Sequence, residues 1–243
     1  MPRPPKKGAT PTRRGTDPIA GRRAETVRVK TAKKRSASSA RWLQRQLNDP
    51  YVAAAKDAGL RSRAAYKLME IDDRHVFLTP GKRVVDLGAA PGGWSQIAAD
   101  RVDAERGGGK VIALDVLDIE PLAGVTLLKA DMHDPETPLR LREALGGAAD
   151  VVLSDMAAPT TGHRATDHLR IVTLLELAIL FADEVLAPGG VFVGKVFQGG
   201  TEKGLLEMLK ARFAEVRHVK PKASRSESPE LYVVARGFRG GAA

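Results

Sequence analysis

The 243-residue chain contains no cysteine. That excludes disulfides, cysteine-ligated zinc and a thiolate nucleophile, and gives no sign of an oxidising compartment, so a cytoplasmic location is expected. No apolar run reaches the roughly 18 residues of a membrane-spanning helix. The N-terminus is basic but lacks the apolar stretch of a secretory signal. Aromatic residues are few, 2 Trp, 3 Tyr and 6 Phe, which leaves little on which nucleic-acid bases could stack. No motif calls for a metal, no internal repeat is visible, and no apolar stripe asks for a second copy, so a monomer is expected.

Charge is unevenly placed. The net charge is +10, yet residues 1–48 hold 14 Lys and Arg against 2 Asp and Glu, leaving 25 against 27 in the rest. A basic arm beside a nearly neutral domain points to a polyanionic partner, RNA or DNA ahead of a membrane; the plainer alternative is a solvated tail kept for solubility. Residues 1–32 are rich in Pro, Gly, Thr and Arg and are expected to form a disordered basic extension. Residues 33–80 read as a basic helical segment. Trp42, Leu43 and Leu47 suggest a short helix, and Arg61 to about Arg74 an amphipathic one with Ala65, Leu68 and Ile71 or Asp72 on its inner edge. Residues 81–238 form the remaining core, with 239–243 a flexible tail.

From residue 83 the chain alternates strand and helix. The strands read as "RVVDLGAA", "KVIALDV", "VTLLKAD", "DVVLSDM", "VFVGKVF", "VRHVKP" and "LYVVARG". Continuous apolar strands separated by helices predict a Rossmann-like α/β fold with a mostly parallel sheet covered on both faces. The last two strands have no helix between them, so one of them is expected to run antiparallel.

The turn "DLGAAPGGWSQ", residues 86–96, lets backbone approach a ligand closely. Its glycines fall at 88, 92 and 93 with Pro91 between them, which is not the dinucleotide fingerprint. Asp86, Asp115 and Asp131 end the first three strands. Asp115 stands where a carboxylate can accept both hydroxyls of a ribose, and Asp131 where it could meet an adenine amino group. Such an acidic lining suits the cationic sulfonium of S-adenosylmethionine better than a pyrophosphate, so a methyl donor is favoured over NAD. Trp94 follows Gly93 and reads as a wall of that pocket.

Asp155, in "SDMAAP", ends the fourth strand at the edge where open α/β sheets bind ligands. The tetrapeptide of amino-group methyltransferases is missing there, and without cysteine a thiolate attack on a base is excluded. An oxygen acceptor is the remaining expectation, with base nitrogens still open. Lys195 lies inside the apolar stretch "GGVFVGKVFQGG", and a lone ammonium there is costly to bury unless paired. Lys67 on the second helix and Glu230 before the last strand complete a set of ionisable residues that gains meaning as a cluster.

With these residues laid out, residues 33 to about 237 resemble the FtsJ/RrmJ family of ribosomal-RNA 2′-O-ribose methyltransferases. The segments "KKRSASSARWLQ", "GLRSRAAYKL", "VVDLGAAPGGWSQ", "SDMAAP", "LAPGG", "GKVFQG" and "LYVVARG" carry the resemblance. It implies a seven-stranded methyltransferase fold with one antiparallel strand, S-adenosyl-L-methionine as co-substrate and no metal. It also implies a tetrad of Lys67, Asp155, Lys195 and Glu230, with Lys195 the proton acceptor. Glu230 is preferred over Glu227 because it directly precedes "LYVV". The donor would contact Gly92, Trp94, Asp115, Asp131 and Asp155. The implied substrate is a uridine of large-subunit 23S RNA, on the assembled subunit late in ribosome maturation. The same chemistry on tRNA or an mRNA cap, and a non-catalytic RNA-binding assembly factor, remain alternatives. Lys33, Lys34, Arg35, Arg41, Arg61 and Arg63, with Arg225 near Glu230, are the expected phosphate contacts.

Overall fold

A computed structural model describes residues 19, 27–29, 31, 34, 36–158, 161–198 and 203–240. Most of the expected disordered extension, Lys33, Arg35, and residues 241–243 of the expected tail therefore lie outside the described residues. Within that extension, Val27 donates its N–H to Asn48 Oδ1 at 2.7 Å and Val29 to Gln44 Oε1 at 3.1 Å, so residues 27–29 lie against the first helix.

Three helices precede the sheet: α1 (Ala37–Leu47), α2 (Pro50–Asp57) and α3 (Ala64–His75). Sequence periodicity missed α2, which is short. Its start is nevertheless marked, because Asp49 caps Tyr51 N–H and proline opens the first turn. α3 ends where Asp72, fully buried, accepts the N–H groups of Phe77 and Leu78.

The core alternates as expected: β1 (Arg83–Leu87), α4 (Gly93–Arg101), β2 (Lys110–Asp115), β3 (Val125–Lys129), α5 (Thr137–Leu145), β4 (Ala149–Ser154), α6 (Arg164–Val185), β5 (Leu186–Phe197), α7 (Lys203–Arg212), β6 (Phe213–Val219) and β7 (Glu230–Phe238). The strands form one sheet in the order β3-β2-β1-β4-β5-β7-β6, in which β7 is the strand that runs against its neighbours. α5 is not foreseen by the apolar pattern of the sequence. The fifth strand, read in the sequence as "VFVGKVF", also starts earlier than Val191. β5 begins at Leu186 straight after α6, and Ala187–Gly190 bulge out opposite Asp150, between the pairs Ala149–Leu186 and Val151–Val191.

Successive strand residues face opposite sides of the sheet. Val84, Val151, Leu153, Val191, Val193, Tyr232 and Val234 pack with α3 and α4, while Val85, Val152, Phe192, Val233 and Ala235 pack with α5, α6 and α7. The same parity assigns Asp86, Asp155, Lys195 and Glu230 to the α3–α4 side. Polar groups of four separate strands are thereby aimed at one place, the carboxyl edge where strand order reverses between β1 and β4.

Candidate active site

Asp155 follows the last residue of β4, and Lys195 follows Gly194, the register partner of Ser154. Parallel pairing therefore sets the two side chains side by side. Lys195 Nζ lies 2.8 Å from Asp155 Oδ1 and donates to the Asp155 carbonyl at 2.9 Å. β7 reaches the same edge from the other direction, because it is antiparallel: Phe197 pairs with Glu230 and Lys195 with Tyr232. Glu230 Oε2 is 3.9 Å from Lys195 Nζ, and its Oε1 is 2.6 Å from Lys67 Nζ, which α3 delivers from above.

Tyr232 stands at the middle of the four. Its hydroxyl accepts from Lys67 Nζ at 3.1 Å and lies 2.7 Å from Asp155 Oδ1 and 3.0 Å from Glu230 Oε1. One phenolic proton serves one of the two carboxylates at a time. Ser224 Oγ donates to Glu230 Oε1 at 3.0 Å. Lys67 and Lys195 are only 6% and 8% exposed, and their burial is tolerable because each ammonium faces a carboxylate. Burial draws the Lys195 pKa down, but Asp155 and Glu230 outweigh it and hold the group above the ordinary lysine value, as a cation. Burial pushes Glu230 up, and the Lys67 and Lys195 ammoniums more than reverse this, to about 2. Tyr232 is driven well above the usual phenol value by its burial and by the Asp155 and Glu230 charges, so it stays protonated.

On the β1 side the tetrad meets the glycine-rich turn. A small cavity of ≈ 50 Å³ is lined by Asp86, Ala89, Ala90, Trp94 and Asp155 among others. Asp86 is 1% exposed and accepts from Ser95 Oγ at 2.6 Å; burial is the main reason its pKa rises to about 7. Trp94 is 3% exposed, donates its indole N–H to the Ala64 carbonyl at 2.9 Å and packs its ring 5.5 Å from that of Tyr232. It is a wall shared by both halves of the site. Asp115 ends β2 with Oδ2 accepting Ala90 N–H and Oδ1 accepting Leu117 N–H, each at 2.8 Å. Each oxygen keeps a lone pair for a further hydroxyl. Gly92 has φ +101°, and a Cβ there would come within 2.8 Å of Leu122 and 3.2 Å of Arg61, so the turn admits only glycine.

The sequence model of FtsJ-like methyltransferases matches residues 60–238, three quarters of the chain, including every residue of the tetrad and the turn. The chain belongs to the FtsJ-like methyltransferase family. It is 62% identical over 228 residues to ribosomal RNA large subunit methyltransferase E of Paramagnetospirillum magneticum, covering 93% of each protein. To the protein of the same name from Parvibaculum lavamentivorans it is 59% identical over 240 residues, covering 96% of this chain and 94% of that one. The solved structure of a ribosomal RNA methyltransferase from Plasmodium falciparum matches with a TM-score of 0.65 at 31% identity, covering 74% of this chain and 99% of that one.

Within this methyltransferase the other expected residues fall in different places. Asp131 lies two residues beyond β3 at the same sheet edge. Its exposed carboxylate is turned to His133 Nδ1 at 2.8 Å, and it does not line the small cavity. Lys34 and Arg41 are exposed on the N-terminal segment. Arg61, expected on phosphate, turns inward instead: its guanidinium donates to the carbonyls of Pro91 at 3.2 Å, Glu120 at 2.7 Å and Pro121 at 2.6 Å. It thereby ties the glycine-rich turn to the loop after β2. Arg63 and Arg225 both reach Asp49. Tyr232, Ser224 and the Asp86–Ser95 pair were not singled out in the sequence. The signal for Tyr232 is its period-two spacing from Glu230 along one strand, which sets both side chains on the same face.

Among the described residues no group of His, Asp and Glu is arranged to hold a metal ion, and no helix is long and apolar enough to cross a membrane.

Proposed function

We propose that this methyltransferase uses S-adenosyl-L-methionine to methylate the ribose 2′-oxygen of a uridine in large-subunit 23S ribosomal RNA, on the assembled subunit. Residues 33–80 would hold the RNA and residues 81–238 would carry the reaction. The observation that carries the reading is the convergence of Lys67, Asp155, Lys195 and Glu230 around one buried hydroxyl beside the glycine-rich turn. The names of the large-subunit relatives support the substrate.

The residues on the β1 side fit the donor. Asp86 and Asp155 put carboxyl groups on the small cavity, Asp86 ionising near pH 7, Asp115 offers acceptors to ribose hydroxyls, and Trp94 closes one wall. Bound there, the donor would supply an electrophilic methyl group on a sulfonium. A ribose 2′-hydroxyl is a weak nucleophile, so this chain's residues must align it and take its proton. Lys195 faces the large cavity of ≈ 840 Å³ that opens over the tetrad. Its ammonium, held by Asp155 and Glu230, would orient the incoming oxygen. After losing its own proton to solvent, it would accept the hydroxyl's proton as the O–C bond forms and the methyl–sulfur bond breaks, its electron pair leaving with the now neutral sulfur. Asp155 and Lys67 fix that geometry, and Glu230 holds both lysines. A cytoplasmic monomer fits this role.

The test is transfer of label from S-adenosylmethionine to large subunits isolated from cells lacking the activity, with Lys195→Ala alongside. The expected product is label in a uridine whose ribose linkage resists alkali, lost in the variant. No label on subunits, with label on tRNA or capped RNA, would overturn the proposed substrate. No label on any RNA, with the donor bound normally, would leave an RNA-binding assembly factor.

A further inference from the structure

The cavity of ≈ 840 Å³ over the tetrad adjoins a second large one of ≈ 770 Å³, with Arg45, Arg63, Arg225 and Glu227 in the wall of both. Each has one Phe, Tyr or Trp in its lining, as does the small cavity by the glycine-rich turn: Phe197, Tyr51 and Trp94 in that order. Two of the three are committed to packing. Tyr51 is buried with its ring 5.6 Å from that of Tyr66, and Trp94 lies against Tyr232. Phe197 is different. Among the described side chains every other Phe, Tyr and Trp is buried in one of the two hydrophobic clusters of the core. Phe197 is half-buried, belongs to neither cluster and pairs with no other ring.

The register that builds the tetrad also sets this ring. Phe197 is two residues beyond Lys195 on β5, so both side chains leave the same face of the strand, about 6–7 Å apart along it. Across the strands it pairs with Glu230. The next residue fixes the rim, where Gln198 N–H donates to the Pro229 carbonyl at 2.5 Å. An apolar ring is thus held at the outer side of a floor made of two ammoniums and two carboxylates, and the core makes no use of it there.

The covalent structure of a nucleotide gives it a use. A ribose 2′-oxygen sits on the carbon next to the one that carries the base, so a ribose presented to Lys195 brings its base into the same cavity. Lys67 and Lys195 are almost fully buried, so the nucleotide must come down to them rather than react from within a stacked helix. A base drawn out in this way loses its stacking neighbours, and an aromatic face at the point of arrival replaces one of them. We propose that Phe197 is the platform on which the base of the target nucleotide stacks, holding an extruded nucleotide with its 2′-oxygen over Lys195. This rests on the RNA substrate proposed above. Every base has a π-face, so the ring sets position and not base identity. The arginines of the cavity wall act on phosphates through charge, whereas Phe197 acts by contact alone, and salt separates the two.

The experiment uses the full chain and large subunits isolated from cells lacking the activity. Phe197→Leu keeps an apolar side chain and removes the ring. It should lower kcat/KM for the subunit about fivefold or more, the lower end of what a stacked base is worth. The slope of log kcat/KM against log salt should not change, because no charge is lost. Tm and donor Kd should stay at wild-type values, because Phe197 packs in neither core cluster. Phe197→Tyr, which keeps the ring, should bring kcat/KM back to within about twofold of wild type. Wild-type kcat/KM in Phe197→Leu overturns the proposal, and so does a Tyr variant as impaired as the Leu one. A loss shared by Tm and donor affinity also overturns it, because Phe197 would then only pack the end of β5. A wild-type protein that fails to methylate subunits overturns the substrate reading instead, and the platform with it.

Discussion

Replacing Tyr232 by Phe tests whether the tetrad works as one assembly. The ring is fully buried against Trp94, and Phe keeps that contact. Only the hydroxyl is lost, with its links to Lys67, Asp155 and Glu230. Each of those groups keeps an ionic partner: Lys67 and Glu230 keep each other at 2.6 Å, and Asp155 keeps Lys195 at 2.8 Å. No charge is stranded, so the loss of stability should be that of one hydrogen bond to a charged group, about 1.5–3 kcal/mol, or roughly 3–12 °C in Tm for a chain of this size. Catalysis should suffer more than binding. The hydroxyl is the one group that touches both carboxylates and Lys67, so without it the four side chains settle independently. A displacement of a few tenths of an ångström in an aligned displacement reaction predicts a loss of about tenfold or more in kcat. KM for RNA and the donor Kd should not move, because Tyr232 lines neither the large cavities nor the small one. Steady-state methyl transfer, calorimetric donor binding and thermal melting separate these terms. A folded variant with wild-type kcat would refute the view that the hydroxyl organises the tetrad.

Three further outcomes follow from the same geometry. Asp155 and Glu230 hold Lys195 above the ordinary lysine value, so a Lys195 that must first shed its proton predicts kcat rising with pH throughout pH 7–9. A plateau near pH 7 would exclude it as the acceptor. Asp86 has a folded pKa of about 7 against an ordinary 3.8; its unfolded form ionises first, so stability falls as pH rises between those values. Asp86→Asn should therefore flatten the stability profile in that window while weakening binding of a cationic donor above pH 7, read by thermal melts and calorimetry across pH. Arg61 ties three carbonyls at the glycine-rich turn and the loop after β2, so, if that turn holds the donor as proposed, Arg61→Ala should weaken donor binding about tenfold with the salt slope of RNA binding unchanged; a shallower slope with normal donor affinity would return Arg61 to the phosphate contacts.

Much of this protein was readable along the chain. Continuous apolar strands between helices specified a covered, mostly parallel sheet, because a strand buried on both faces has no polar side to display. Lys195 stood out for the same reason: an ammonium in "VFVGKVF" needs a buried partner. Motif resemblance then picked Lys67, Asp155 and Glu230. Local signals for α2 and α5 are also present, in Asp49-Pro50 and in Pro138 with Gly146, but helices this short carry too few turns to show an apolar period.

Tertiary structure alone decided the rest, because register and strand direction are set by long-range pairing that no local pattern records. Antiparallel β7 brings Glu230 and Tyr232 to the carboxyl edge of β5, and makes a tyrosine 165 residues from Lys67 its hydrogen-bond partner. Whether an arginine meets phosphate or carbonyl is equally a matter of what the fold places beside it. Arg61 and Arg63 are two residues apart in one basic motif, yet one binds the glycine-rich turn and the loop after β2, and the other joins Arg225 on Asp49. Composition determined that this chain carries a strongly basic arm and an acidic-edged sheet; only the folded arrangement determined which of those charges face each other and which remain for a substrate.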